Sequence, residues 1–309
     1  MKLDGVHHIT AITANAQQNV DFYAGTLGLR MVKKTVNQDQ PNVYHLFYGD
    51  EEGSPGADMT FFEFPDAAPG RAGAGMVHRI VWRVASGDAL SFWEERLHTL
   101  VPGTSRTANT LRFADPEGLK HELVVATVDD APLIADHPEV PAEHALQGFE
   151  GARAFSADPS RSRSLLEAHL GFEPSDDGWE IRGKRRGGTW AYDDAPEEER
   201  GIQGAGTVHH IAWASETDEH EGWRDRAIEG GAHPTPVIDR FWFESIYFRE
   251  PSGVLFEIAT LDPGFAVDED PEHLGESLIL PPFLEERRDE IEQVLTPVEN
   301  PRTARSAAE

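Results

Sequence analysis

The chain of 309 residues contains no cysteine. This absence excludes disulfides, zinc sites built on thiolates and cysteine nucleophiles. Any metal site must therefore use histidine, aspartate or glutamate. The sequence also lacks a run of about eighteen apolar residues, which argues against a membrane-spanning helix. Because a strand-like pattern follows Met1 with no basic and apolar leader before it, we expect a cytoplasmic protein.

Basic side chains are scarce. The chain has 27 lysines and arginines, of which only five are lysine, against 55 aspartates and glutamates. The resulting formal net charge of −28 argues against nucleic acid as a partner. The acidic residues are spread along the chain rather than gathered in one tail. We interpret this charge as a halophilic adaptation, because molar salt screens charges that lie more than about 3 Å apart.

A repeated pattern organises the chain. The first module begins with a predicted strand, Val6–Thr13, followed by a predicted helix, Gln17–Thr26, which Gly28 ends. Extended segments follow near residues 44–48 and 58–64. The order of these elements is βαβββ.

Three further modules repeat this order. The second opens at Val77–Val84, the third at Gly151–Asp158, and the fourth at Val208–Ser215. The sequence "VHHIAWAS" of the fourth module repeats the paired histidines of "VHHITAIT" in the first. The pattern predicts an α+β fold of four βαβββ modules in two paired halves.

The halves are predicted at residues 1–128 and 147–264. A proline-containing linker, 129–146, separates them. Residues 265–309 are a C-terminal extension in which 284–295 are predicted to be helical and the chain from Thr296 onward to be disordered.

Ligand-type residues recur at matching positions of the modules. The second histidine of each pair is His8 in the first module and His210 in the fourth. A position in the last strand, four residues after a glycine, holds Glu257 in the fourth module, Glu122 in the second and Thr60 in the first. Only the first and fourth modules together supply two imidazoles and one carboxylate.

This donor set is typical of non-haem Fe(II) sites with three open positions, and Mn(II) fits it too. The site would keep a net charge of about +1, so that an ionised aromatic alcohol and O2 could bind together. The second module has Arg79 in the histidine position, and the third has no ligand set. We therefore interpret Glu122 as part of a degenerate site or a surface ion pair.

The first histidine of each pair has a different predicted place. Side chains alternate between the two faces of a regular strand, so His7 and His209 should point away from the metal. The pattern leaves two roles open, support of the neighbouring ligand or a purely structural role.

Taken together, these motifs resemble the ring-cleaving dioxygenases of the vicinal-oxygen-chelate superfamily, also called the glyoxalase/bleomycin-resistance/dioxygenase superfamily, and within it the hydroquinone branch. The resemblance extends from about Gly5 to Leu295, through "GVHHITAIT", "YHLFYGDEEGSPGADMTFFEFP", "VHHIAW" and "RFWFESIYFREPSGVLFEIAT". It implies an Fe(II)-dependent enzyme that opens a hydroquinone ring with O2, and it places the metal ligands at His8, His210 and Glu257.

The resemblance also implies roles in substrate binding or ligand support for five residues, which are His7, Thr10, His209, Arg240 and Tyr247. The arginine and the tyrosine precede the candidate glutamate ligand on the two extended segments before it, so both can reach the mouth of a cleft. There they could hold substrate oxygens or move protons as the ring opens.

Three other functions stay open at this point. A catechol extradiol dioxygenase would use the same ligands but needs two adjacent substrate oxygens on the metal. A metal-dependent isomerase or lyase of the glyoxalase kind would need no O2. A non-catalytic protein would only bind an aromatic ligand. Modules of this kind often self-associate, and the sequence leaves open whether the chain forms a homo-oligomer.

Overall fold

The computed structural model describes residues 1–196 and 201–301, which form sixteen strands and a few short helices. The strands are β1 (Val6–Thr13), β2 (Arg30–Asn37), β3 (Gln40–Gly49), β4 (Asp58–Glu63), β5 (Met76–Val84), β6 (Ser105–Arg106), β7 (Thr110–Ala114), β8 (Lys120–Val125), β9 (Phe149–Ser156), β10 (Glu173–Ser175), β11 (Gly178–Arg182), β12 (Gly187–Asp194), β13 (Thr207–Ser215), β14 (Ile238–Asp239), β15 (Glu244–Arg249) and β16 (Leu255–Thr260).

The helices lie mostly between the first two strands of each module. The α-helices are α1 (Ala16–Val20), α2 (Gly87–Leu100), α3 (His220–Glu229) and α4 (Arg288–Val294). The π-helical turns are Asp21–Thr26 and Leu165–Leu170, and the 3-10 turns are Pro159–Ser162, Thr217–Glu219, Phe265–Val267, Pro271–His273 and Pro282–Arg287. No helix in the described ranges is both long enough and apolar enough to cross a membrane.

The strands form two sheets of eight. The first has the order β14-β15-β16-β13-β1-β4-β3-β2, and the second β10-β11-β12-β9-β5-β8-β7-β6. In every module the first strand lies parallel to the fourth. The predicted α+β fold of four βαβββ modules is confirmed.

The modules pair as first with fourth and second with third. Strands β1 and β13 join the first pair, and β5 and β9 join the second, both in antiparallel orientation. Each sheet therefore draws on both sequence halves, 1–128 and 147–264. Residues 129–146 connect β8 to β9, and the division of the chain into halves at this segment stays a prediction.

Local sequence explains how the first module folds. The Asn15 side chain accepts a hydrogen bond from the backbone N–H of Gln18 and caps α1. Val20 and Tyr23 are buried against the core. Gly28 ends the helical segment with φ of 72°, a left-handed conformation in which glycine carries no steric penalty.

One large apolar core joins the two sheets. It contains residues of all four modules, among them Val20, Trp82, Leu165 and Trp213. Close packing holds the central strands in place, so side chains that project from β1, β13 and β16 start from a rigid framework.

The C-terminal extension is attached to the first sheet by a buried lysine. Lys33 of β2 is fully buried and forms ion pairs with Asp268, at 2.8 Å, and with Glu269. The indole N–H of Trp242 donates to the same Asp268 carboxylate. The predicted helix over 284–295 forms as the 3-10 turn Pro282–Arg287 followed by α4.

Residues 296–301, for which the sequence predicts disorder, have contacts with the first module. Val298 packs against the main core. The side-chain amide of Gln17 donates to the carbonyl of Glu299 at 3.1 Å and accepts from its N–H at 2.8 Å, which satisfies both backbone groups. The remainder of the predicted disordered segment, 302–309, lies outside the described residues.

Candidate active site

A β-bulge places the first histidine pair. Val6 pairs with Trp213 and His8 with Ala212, so that His7 is an extra residue on β1. A bulge changes the direction of side chains and is common beside active sites. His7 consequently departs from the predicted alternation, since its side chain is buried and its ring lies beside that of His8, with 5.0 Å between the centroids.

A second bulge on β13 repeats this arrangement. Thr10 pairs with His210 and Ala11 with Val208, so that His209 is the extra residue. The side chain of His210 is buried, while His209 is exposed at the surface. Each histidine pair therefore consists of a bulged residue followed by an inward-facing one.

The two inward-facing histidines meet a carboxylate of β16. Nε2 of His8 lies 3.2 Å from Oε2 of Glu257, and Nε2 of His210 lies 2.9 Å from the same oxygen. The two Nε2 atoms are 3.2 Å apart. Among the described residues this is the one group of three or more such side chains that could hold a metal ion.

The electrostatics of this cluster fit a divalent cation. Burial alone would raise the pKa of Glu257, but the neighbouring imidazoles of His8 and His210 hold that pKa well below its usual value. Its Oε2 is buried without a hydrogen bond of acceptable geometry. A charged oxygen and two imidazole nitrogens that converge in this way suit a metal ion of the Fe(II) or Mn(II) type.

A hydrogen-bond chain holds His8 through its other ring nitrogen. Nδ1 of His8 lies 2.9 Å from Nδ1 of His7, whose Nε2 lies 3.0 Å from the carbonyl oxygen of Thr260. If Nε2 of His8 faces a metal, the Nδ1–H of His8 donates to Nδ1 of His7. The Nε2–H of His7 then donates to the carbonyl oxygen of Thr260. Burial, and then the charge of His8, lower the pKa of His7 to about 3, so His7 is neutral and can accept this bond.

The other two candidate ligands have comparable partners. Nδ1 of His210 lies 2.8 Å from Nδ1 of His209. Ser245 Oγ donates a short hydrogen bond to Oε1 of Glu257, which leaves Oε2 for the imidazole side. Sequence reasoning missed Ser245, because the contact depends on the pairing of β15 with β16.

A cavity with aromatic walls opens beside these ligands. Tyr247 pairs in register with Glu257, and its ring lies 5.7 Å from that of His210. Arg240, predicted on an extended segment, follows β14 instead and stands 5.5 Å above the Tyr247 ring. The residues that line the cavity are His8, Asn37, Gln38, Asp39, His45, Phe47, Phe62, His210, Arg240, Trp242, Phe243 and Tyr247.

His45 is a candidate functional residue that the sequence did not single out. It projects from β3 into the cavity, and its Nε2 lies 3.0 Å from Oγ1 of Thr60. Thr10 extends this contact, since its hydroxyl lies 2.7 Å from that of Thr60. Burial, followed by the charges of His8 and His210, lowers the pKa of His45 well below its usual value. The one signal in the sequence was an ionisable residue between the apolar and aromatic residues of β3.

Among the described residues, the second sheet brings no comparable donor set together. In the order of the sheets, β5, β9 and β12 correspond to β1, β13 and β16. By strand register, Arg79 then corresponds to His8, Gly151 to His210 and Ala191 to Glu257. Glu122 forms ion pairs with Arg79, at 3.2 Å, and with Arg112, at 3.1 Å. The interpretation of Glu122 as an ion-paired residue agrees with these contacts.

Comparison with known proteins agrees with this architecture. Residues 5–123 and 148–258 match the Glyoxalase/Bleomycin resistance protein/Dioxygenase superfamily. The chain belongs to this superfamily. Its curated relatives include "Putative ring-cleaving dioxygenase MhqO" of Bacillus subtilis (strain 168), which is 43% identical over 96% of this chain and 97% of the relative.

Two further relatives of this superfamily member are informative. The chlorohydroquinone/hydroquinone 1,2-dioxygenase of Sphingobium indicum is 34% identical over 94% of the chain and 95% of the relative. A crystal structure described as a "putative dioxygenase" from Bacillus subtilis superposes with a TM-score of 0.89 at 42% identity, covering 97% of this chain and 98% of the other. The superfamily, and its ring-cleaving branch, are those that the sequence motifs predict.

Proposed function

We propose that this protein is an Fe(II)-dependent dioxygenase that opens the ring of a hydroquinone with O2 as co-substrate. The observation that carries the proposal is the convergence of His8, His210 and Glu257 at a cavity with aromatic walls. A similarity over nearly the full chain to a hydroquinone 1,2-dioxygenase supports the choice of substrate.

His8, His210 and Glu257 would hold the metal. Fe(II) held there would supply the redox chemistry that joins the substrate to O2. The protein contributes rigid ligands on three adjacent strands and the hydrogen bonds that orient them. Mn(II) fits the same donors, and metal loading with each ion separates the two.

The cavity walls would bind and orient the ring. Phe47, Phe62, Trp242 and Phe243 offer flat apolar faces, and aromatic pairs of this kind gain about 0.5–1.5 kcal/mol beyond the area that they bury. The guanidinium of Arg240 would hold the ionised or distal oxygen of the diol. These contacts also limit water beside the reacting carbon, which protects reactive species from hydrolysis.

Two neighbouring groups are suited to hydrogen bonding with the substrate. Burial lowers the pKa of His45, so its ring is neutral and can accept a hydrogen bond from a substrate hydroxyl. Burial, and then the charge of Glu257, raise the pKa of Tyr247 above its usual value. Its hydroxyl therefore stays protonated and can donate a hydrogen bond to an oxygen on the ring.

Oxygen consumption and product analysis test this proposal. The protein is purified without oxygen, loaded with Fe(II), and supplied with hydroquinone or catechol and isotopically labelled O2. We expect uptake of one O2 per hydroquinone, both oxygen atoms in a ring-opened product, and slower turnover of catechol. Glu122→Gln, which alters the ion-paired residue of the second sheet, serves as the active control. A metal-loaded protein that consumes no O2 with hydroquinone would contradict the proposal.

A further inference from the structure

The cavity is too small for the substrate in the described conformation. It encloses about 40 Å³, whereas a protein cavity that binds benzene measures about 150 Å³. A hydroquinone exceeds benzene by two hydroxyl groups. The cavity therefore has less free space than an aromatic ring occupies, and movement of its wall would provide the rest.

The turn between β2 and β3 lines the cavity with Asn37, Gln38 and Asp39. Gln38 donates from Nε2 to the carbonyl oxygen of Arg240 at 2.8 Å. Arg240 in turn donates from Nη2 to Oδ2 of Asp39 at 3.1 Å. These two contacts join the first module to the fourth across the opening.

The turn holds its own shape through hydrogen bonds. Val36 of β2 pairs with Tyr44 of β3, and the next residue of β2, Asn37, pairs with Gln40. The register between the two strands therefore skips residues 41–43. Beyond this irregularity, Oδ1 of Asn37 accepts hydrogen bonds from the N–H groups of Asp39, at 2.9 Å, and Gln40, at 3.2 Å. The bonds within the turn keep its shape, while the register shift separates it from the regular pairing of β2 with β3.

We propose that Asp39 is a positioning residue that holds this turn over the cavity, and that the ring enters when Arg240 exchanges the Asp39 carboxylate for an oxygen of the substrate. The inference rests on the proposed function for the nature of the ring. The Asp39 side chain is 77% exposed and that of Arg240 18%. An ion pair open to water on one side is weak enough to break and re-form, whereas the buried metal ligands stay in place.

Access to the metal can be measured without turnover. Fe(II)-loaded protein is mixed with o-phenanthroline, a three-ring chelator whose iron complex is coloured, at several chelator concentrations. The same samples are mixed with nitric oxide, a diatomic ligand of Fe(II) that needs little space. Asp39→Asn and Asp39→Glu are compared with Asp218→Asn, an exposed aspartate after β13.

We expect Asp39→Asn to speed the chelator-dependent removal of iron by about two- to fivefold. This is the rate change that corresponds to the free energy of one partly exposed ion pair. Asp39→Glu should return the rate toward wild type, because it keeps the charge. Molar KCl should speed removal from wild type but have little effect on Asp39→Asn, since salt screens the pair. Nitric oxide binding should be the same in all variants.

Equal chelator rates in wild type and Asp39→Asn would overturn the proposal. So would an equal acceleration of nitric oxide binding, because that result reports a changed metal site rather than a changed opening. Failure of the proposed function is distinguishable: a chain with the expected chelator rates that consumes no O2 with hydroquinone contradicts only the dioxygenase assignment.

Discussion

At the scale of single residues, the doubled histidines of β1 and β13 are explained by what a metal ligand requires. An imidazole that binds through Nε2 needs a partner for its Nδ1–H. In both strands the preceding histidine is the extra residue of a β-bulge, and the bulge brings its Nδ1 within 2.9 Å of its neighbour. The pair thus supplies both the ligand and its support from consecutive positions.

We expect His7→Ala to keep part of its iron and to lose about 10- to 100-fold in metal affinity or turnover, the usual effect of removing the partner of a ligand. The matched control is His78→Ala, because His78 is the extra residue at the corresponding bulge of β5. Metal content and the rate of O2 consumption are measured on both. Unchanged values for His7→Ala would show that the bulged histidine is purely structural.

Arg240→Ala and Tyr247→Phe should separate binding from chemistry. Removal of the arginine deletes a cation that holds the substrate, so KM should rise more than kcat falls. Removal of the phenol hydroxyl deletes one hydrogen bond to the reacting ring, so kcat should fall by about tenfold with a small change in KM. Steady-state kinetics with hydroquinone measures both constants, and the reverse pattern would mean that the two roles are exchanged.

The sequence predicted His8, His210 and Glu257 as a set, because residue type and module position identify them without a structure. It could not predict His45 or Ser245, because their importance depends on which strands lie side by side. Strict alternation also gave no sign that the His7 ring would lie beside that of His8, since a bulge is a property of strand pairing rather than of one strand.

At the scale of elements, the repeated pattern predicted the βαβββ order of the modules but not which modules share a sheet. That choice depends on long-range pairing, here β1 with β13 and β5 with β9. The C-terminal extension is a similar case. Its helical segment is visible in the sequence, whereas its attachment through Lys33 depends on a buried ion pair with Asp268 and Glu269.

Lys33→Met should lower the free energy of unfolding by about 3 kcal/mol, because it leaves two carboxylates close to the core without their cation. Lys34→Met is the matched control. The neighbouring lysine donates one hydrogen bond to the carbonyl of Glu276, so its loss should cost about 1 kcal/mol. Urea unfolding of both variants measures the difference, and equal losses would show that Lys33 does not anchor the extension.

At the scale of the whole molecule, two sheets of the same topology differ in what they carry. The first brings two imidazoles and a carboxylate together, while the matching positions of the second hold Arg79, Gly151 and Ala191. One framework is thus used for a candidate metal site in one sheet and for ion pairs in the other. We predict that only the first sheet binds a functional metal ion.

The net charge of −28 is also a property of the whole molecule. Repulsion among so many carboxylates opposes the compact state at low ionic strength, and salt screens it. We expect the melting temperature to rise by several degrees between low and molar KCl. Melting curves at constant pH measure this effect, and no gain with salt would contradict a halophilic adaptation.

The most direct test of the central claim is the iron content of single variants of the chain. We expect one Fe(II) per chain in wild type and in Glu122→Gln. We expect almost none in His8→Ala, His210→Ala and Glu257→Ala, with circular dichroism spectra that show a retained fold. Full iron in any one of these three variants, or iron lost from Glu122→Gln, would contradict a metal site shared by the first and fourth modules.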